Sequence, residues 1–264
     1  MIGVFDSGLG GLTAVKEIRR LMPYEDLVYF GDTGRVPYGT RSKETITKYA
    51  LQDVRFLSGF SPKAVLVACG TVSSTALETI REQFHFPIVG VVEGAAEMAA
   101  QQTKNGSIGV IGTSATIQSG AYARILKAIN PSLRITEIAC PLFVPLVENG
   151  FVQPDDPITL LACERYLADI RTAGCDTLIL GCTHYPLIAP AITKTLPGVK
   201  LISAGAESAR MLQQTLAGAG LLSAGKGHAE YYISDDPHAF AKSAKLFLGA
   251  DVNERVHQID IEKY

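Results

Sequence analysis

The sequence predicts an α/β protein of two pseudo-symmetric lobes with mainly parallel sheets and an active site in the cleft between them. Short β-branched runs alternate with longer amphipathic stretches, the pattern of strand–helix units. Most of the runs are almost continuously apolar, which suits strands covered on both faces. Three segments of the first half also recur, in the same order, in the second.

The expected strands are Ile2–Phe5, Leu27–Phe30, Ala64–Ala68, Ile88–Val92, Ile108–Ile111, Leu133–Ile138, Thr177–Leu180 and Lys200–Ser203. Between them Leu12, Val15, Ile18 and Leu21 keep a helical spacing. Ile46, Tyr49, Val54 and Leu57 do so more loosely, as do Leu161, Leu167 and Ile170. A Gly-, Ala- and Leu-rich stretch over 218–227 reads as a helix end and loop before a last strand, Ala229–Ser234.

In the repeat, Ile2-Gly3-Val4 returns as Ile108-Gly109-Val110, 106 residues on (108 − 2). Val65–Cys69 returns as Leu178–Cys182, 113 residues on (182 − 69), and Ile88–Ala95 loosely echoes Leu201–Ser208. Each unit would end a strand on one cysteine, Cys69 or Cys182, at the end of the sheet where open α/β folds bind ligands. No linker interrupts the chain. The boundaries are expected near 94–106 and 204–207, giving one lobe of residues 1–95 plus 207–264 and another of 96–206.

Composition narrows the function. The 264 residues are 47% apolar and 19% charged, so the chain can fill a core and is not disordered. A net charge of −2 gives no basic field for a phosphate backbone, so no nucleic-acid partner is expected. Apolar stretches such as 138–147 are too short for a bilayer, so no membrane role is expected. The N-terminus lacks a basic region and meets Asp6 early, unlike a signal peptide. Five cysteines, an odd set without an export signal, favour free thiols in a reducing cytoplasm. There is no CxxC and no paired Cys/His spacing for zinc, so no metal is expected.

Three segments carry chemistry. Asp6-Ser7-Gly8-Leu9-Gly10-Gly11 places a carboxylate directly after a buried strand, where it must cap, pair or work. Its glycines are not spaced as a dinucleotide or P-loop signature. Cys69-Gly70-Thr71 puts a thiol at a helix start, which favours thiolate. Gly181-Cys182-Thr183-His184 is open to three readings: metal ligands, a Cys–His nucleophile pair, or a proton-carrying thiol with His184 assisting. Cys140, Cys163 and Cys175 read as core or helix-surface residues, and His85, His228, His238 and His257 as surface residues.

A hydrolase needs one thiol; a second in the matching place suits a reaction that is itself nearly mirror-symmetric. Racemisation is that reaction: one thiolate removes the Cα proton from one face while the opposite thiol protonates the other. The carbanion-like state needs donors around the carboxylate, which Ser7, Thr71 and Thr183 could supply. No lysine stands in a Schiff-base motif, so no cofactor is demanded. A thiol hydrolase on Cys182 and His184, and a binding protein that kept the fold, stay open on the residues alone.

The chain resembles the cofactor-independent glutamate racemases of the aspartate/glutamate racemase superfamily. The matching segments are Gly3–Gly11, Val36-Pro37-Tyr38-Gly39, Ala68–Thr71, Gly112–Ile117, Pro145–Glu148, Gly181–Pro186 and, more loosely, Tyr231–Pro237 with Phe247-Leu248-Gly249. The resemblance implies that Cys69 serves D-glutamate and Cys182 L-glutamate. It implies Asp6 as helper of Cys69, and His184, backed by Glu148, as helper of Cys182. Substrate contacts are implied at Asp6, Ser7, Tyr38, Gly39, Gly70, Thr71, Thr113, Thr116, Thr183 and His184. Also implied are D-glutamate supply for peptidoglycan and thus cell shape, a bacterial cytoplasmic setting, glutamate as partner, and a homodimer. Two positions depart from the family's usual residues. Gly70 stands where Asn is usual, leaving a backbone N–H in place of a side-chain donor, and Gly94 stands where Pro usually follows Glu93. With Asp6 so close to Met1, no activator-sensing extension and no activator requirement are expected.

Overall fold

The computed structural model describes residues 1–252 and 255–264. Apolar runs form β1 (Ile2–Asp6), β2 (Leu27–Gly31), β3 (Ala64–Val67), β4 (Ile88–Val89), β5 (Ser107–Gly112), β6 (Arg134–Ala139), β7 (Thr177–Leu180), β8 (Lys200–Ser203), β9 (Ala229–Ile233) and the short β10 (Val256–Gln258). The helices are α1 (Leu12–Leu21), α2 (Lys43–Ser58), α3 (Gly70–Thr75), α4 (Leu77–Gln83), α5 (Val92–Gln102), α6 (Ser114–Gln118), α7 (Ala121–Ile129), α8 (Phe143–Glu148), α9 (Pro157–Thr172), α10 (Ala189–Thr195), α11 (Ala204–Gly218) and α12 (Pro237–Leu248).

Every strand pairing is parallel. A six-stranded sheet runs β10-β9-β2-β1-β3-β4 and a four-stranded sheet β6-β5-β7-β8. The second order repeats the first four strands of the chain, with β5, β6, β7 and β8 in the places of β1, β2, β3 and β4. This is the structural form of the sequence echo. In each sheet the first strand lies between the second and third, so the strand order reverses there and opens a crevice at the carboxyl end. β1 and β3 lead into Asp6 and Cys69; β5 and β7 lead into Thr113 and Cys182.

β1, β2 and β3 are buried at every residue, as their unbroken apolar runs require. α1 turns Leu12, Val15 and Ile18 inward and needs no side-chain cap. Ser42, Asp156, Ser203 and Asp236 cap α2, α9, α11 and α12 by accepting backbone N–H groups. One continuous apolar core joins the lobes, from Ile2, Val4 and Ile18 to Leu178, Leu180 and Tyr185.

Two elements differ from the sequence reading. The strand expected over 88–92 stops at Val89, and Val92 already opens α5. Gly90 lies against Leu77, where a Cβ would come within 2.5 Å of a methyl group, and the backbone turns there. β10 lies outside the expected strands: its three residues are half-buried or exposed and too polar to stand out as a run. Among the described residues, no helix is long and apolar enough to cross a membrane.

Candidate active site

The first lobe contributes a carboxylate and a thiol. Asp6 ends β1, is 1% exposed, and accepts the Gly8 N–H at 3.0 Å. Burial raises its pKa above the ordinary carboxyl value, against the pull of His184 and of the Gly11 and Gly8 N–H groups. Cys69 stands at the N-cap position of α3 without a side-chain capping bond, and its Sγ lies 3.6 Å from Ser7 Oγ. Burial, then the charge of Asp6, push the Cys69 thiol up to about 12.

The second lobe contributes a thiol and an imidazole. Cys182 Sγ lies 3.9 Å from His184 Nδ1, and Nε2 of the same ring lies 3.0 Å from Glu148 Oε1. Burial opposes charge on His184. Its hydrogen bonds to Cys182 and Glu148 and the nearby charges of Cys182 and Asp6 outweigh this and raise it to about 10. The Phe247 ring stands edge-on to the imidazole with centroids 5.4 Å apart.

Both thiols open into one cavity of about 420 Å³. Its wall includes Ser7, Gly39, Cys69, Gly70, Thr71, Thr113, Glu148, Cys182, Thr183 and His184 from the sequence-derived set. It also includes Gly8, Val36, Pro37, Thr40, Ser114, Pro141, Val144 and Pro145. These residues bear little or no chemistry of their own; the signal for Pro141 and Ser114 was their place just beyond strands β6 and β5. Among the described residues, no lysine or arginine lines the cavity, so an anion there would rest on hydroxyls and backbone N–H groups. Thr71, Thr113 and Thr116 form a hydroxyl chain with successive 2.9 Å contacts.

Three residues of the set lie outside the wall. Asp6 is buried behind it, and Thr116 reaches it only through Thr113. The Tyr38 hydroxyl turns away from the cavity to Asp32 and, at 3.1 Å, Asp53. Tyr38 therefore anchors its loop from behind, while Gly39 and Thr40 present the loop's front to the cavity. Gly70 has no room for a side chain: a Cβ there would lie 2.2 Å from the Gly181 carbonyl oxygen. The remaining cysteines are buried, His85, His228 and His238 are exposed, and His257 pairs with Glu230 at 2.8 Å. Among the described residues, no cluster of three or more His, Cys, Asp or Glu could hold a metal ion.

Comparison with known proteins gives this arrangement its context. Residues 13–212 match the family described as Asp/Glu/hydantoin racemase. The chain belongs to that family. Within it, the chain is 46% identical to a glutamate racemase of Geobacter metallireducens, over 99% of this chain and 97% of the relative. It is 45% identical to one of Persephonella marina, covering 96% and 95%. Among solved structures, a glutamate racemase isoform of Bacillus anthracis superposes with a TM-score of 0.94 at 37% identity, covering 98% of this chain and 97% of that one. The Francisella tularensis glutamate racemase, solved with D-glutamate, superposes with a TM-score of 0.93 at 37% identity, covering 100% and 98%. A racemase family built on two similar lobes accords with the paired crevices described above.

Proposed function

We propose that this protein interconverts L- and D-glutamate by a two-thiol exchange of the Cα proton, without a cofactor, and that it supplies D-glutamate for peptidoglycan in the cytoplasm. The supporting observation is that Cys69 and Cys182 enter one cavity from equivalent positions of two similar sheets, each beside its own acid–base helper. Residues 1–95 with 207–264 would form one half of the cleft and 96–206 the other. The named ligand of the Francisella tularensis structure is D-glutamate, and a cavity of about 420 Å³ has room for a molecule of that size.

In the L-to-D direction Cys182 acts as thiolate beside the His184 imidazolium, and Cys69 as thiol. The Cα–H bond breaks and its proton passes to Cys182. The electron pair left on Cα takes the Cys69 proton from the opposite face. D-Glutamate leaves with Cys182 as thiol and Cys69 as thiolate; the reverse reaction retraces each transfer. Asp6 holds its proton more tightly than an ordinary carboxyl, and as that buried acid beside Cys69 it assists reprotonation of the thiolate; once ionised, its charge raises the thiol in turn. Burial and the Asp6 charge favour the thiol form of Cys69, the form that delivers the proton in the L-to-D direction. Hydroxyls of Ser7, Thr71, Thr113 and Thr183 and the backbone N–H groups of Gly39 and Gly70 would hold the two carboxylates and spread the developing charge.

A hydrolase on Cys182 and His184 would leave Cys69 without a task. Chiral analysis of L-glutamate incubated in D2O without added cofactor tests the proposal. The expected result is D-glutamate carrying one solvent deuterium at Cα, and the mirror result from D-glutamate. No inversion, or inversion without deuterium, would overturn it.

A further inference from the structure

The segment carrying Cys182 and His184 has a defect built into its sequence. It winds into a 3-10 turn over Tyr185–Ile188. The Cys182 carbonyl accepts the Tyr185 N–H at 3.2 Å and the His184 carbonyl accepts the Leu187 N–H at 3.1 Å. By the same three-residue step, the Thr183 carbonyl would accept from residue 186. Residue 186 is proline and has no N–H. A carbonyl left unpaired beside a buried imidazole costs free energy, so a donor has to come from elsewhere.

That donor comes from the other lobe. The Thr13 hydroxyl, in the first turn of α1, lies 3.0 Å from the Thr183 carbonyl oxygen, across 170 residues of chain. The same hydroxyl lies 2.8 Å from the Gly10 carbonyl, so one proton is shared between two acceptors. Gly10 itself is pressed against the loop: a Cβ there would fall 2.1 Å from Thr183 Oγ1 and 2.5 Å from His184 Nδ1. Phe247 of α12 closes the edge of the ring. Glu148 is thus the imidazole's partner from its own lobe, while Gly10, Thr13 and Phe247 hold it from the first.

We propose that Thr13 is a positioning residue of the reaction, its hydroxyl replacing the donor that Pro186 lacks and so fixing the Cys182–His184 pair from the opposite lobe. This rests on the glutamate racemase reading above. The Cys182–His184 contact of 3.9 Å is at the long end for a sulfur hydrogen bond, so a small shift of the loop breaks it. The pair is in register only while the first lobe is seated on it, which couples closure of the cleft to readiness of one base. A hydroxyl that merely bonded back to Gly10 within its own helix would have no such effect.

Thr13→Val keeps the shape and removes the donor; Thr13→Ser keeps the donor. Melting temperatures are compared first, and Thr13→Ala replaces the valine variant if that one does not fold. The first readout is glutamate racemisation. The valine variant is expected to lose about tenfold in kcat with KM nearly unchanged, and the serine variant to recover most of it. The second readout needs no substrate: the ratio of Cys182 to Cys69 alkylation by iodoacetamide at neutral pH, read by mass spectrometry. That ratio should fall several-fold in the valine variant and return with serine. An unchanged ratio in Thr13→Val, or equal losses in the valine and serine variants, would overturn the positioning role. Absence of racemisation by the parent protein would overturn the functional reading instead, and the alkylation ratio would still decide the role of Thr13.

Discussion

Gly70 and Gly181 meet backbone to backbone, the ideal Cβ position of Gly70 lying 2.2 Å from the Gly181 carbonyl oxygen and 3.8 Å from the Cys182 Cα. The residue after one thiol therefore touches the residue before the other. No side chain fits between them, and a backbone carbonyl cannot rotate aside as a flexible side chain can.

Gly70→Asn is accordingly expected to harm this protein. On donors alone, Gly70→Asn would add a substrate hydrogen bond. On the geometry, its Cβ would push the two thiol loops apart, with overpacking of about 1–3 kcal/mol. Gly70→Asn and Gly70→Ala should both lower kcat/KM by about tenfold or more, since misplacement of reacting groups is severe in its effect. Parental activity in the alanine variant would contradict the contact.

Much of this was legible in sequence, for physical reasons. Strands buried on both faces must be apolar throughout, so β1, β3 and β7 stood out and carried Cys69 and Cys182 with them. What escaped depends on contacts between distant parts of the chain. Nothing beside Gly70 announces Gly181 as its neighbour. Tyr38 carries a hydroxyl near a glycine of the site, yet that hydroxyl is claimed by Asp32 and Asp53 from behind the loop. Phe247 reaches His184 from near the far end of the chain.

The buried pair behind that loop makes its own prediction. Asp32 and Asp53 are fully buried and share Arg35, whose Nε lies 2.6 Å from Asp32 and whose second amino group lies 2.9 Å from Asp53. The guanidinium also covers the Tyr49 ring at 4.2 Å. Arg35→Met would leave the two carboxyls facing each other without a cation, at a cost of about 3–5 kcal/mol. A lower urea midpoint is expected, together with a higher KM as Val36–Thr40 loosens around the cavity. Burial and the Asp32 charge already hold the Asp53 carboxyl well above its usual range, so its protonated form favours the folded state. Acid should therefore narrow the gap between variant and parent, and alkali should not. An unchanged midpoint at neutral pH would contradict the clamp.

His184 predicts a pH dependence of defined sign. Its pKa is raised from the ordinary 6.5 to about 10, where bonds to Cys182 and Glu148 outweigh the opposing effect of burial. A group raised on folding adds stability that is complete below its unfolded value and is lost as pH climbs through the folded one. Stability from this group should thus be complete below about 6.5, decline from there through neutral pH, and be lost by about 10. Glu148→Gln removes one of the raising contacts and should move the alkaline limb of kcat/KM to lower pH. A profile measured across that range that keeps its limb in place would show that Glu148 does not act through the imidazole.

The two thiols also predict different behaviour in two directions that kinetics alone cannot separate. Enantiomers have equal free energies, so kcat/KM must remain equal in both directions in any variant, however lopsided the damage. Isotope exchange escapes this constraint. Cys182→Ser replaces a thiol by a hydroxyl too weakly acidic to serve as base at neutral pH. Cys69 can still remove the α-proton of D-glutamate, exchange it with D2O and return a deuteron to the same face. D-Glutamate should then gain deuterium without inversion, while L-glutamate gains none. Cys69→Ser should give the mirror pattern. NMR of the Cα signal, followed separately for each enantiomer, reads both, and the distinction survives even where net racemisation is too slow to measure. If either single variant labels both enantiomers at comparable rates, one base is serving both faces and the division of labour between Cys69 and Cys182 is wrong.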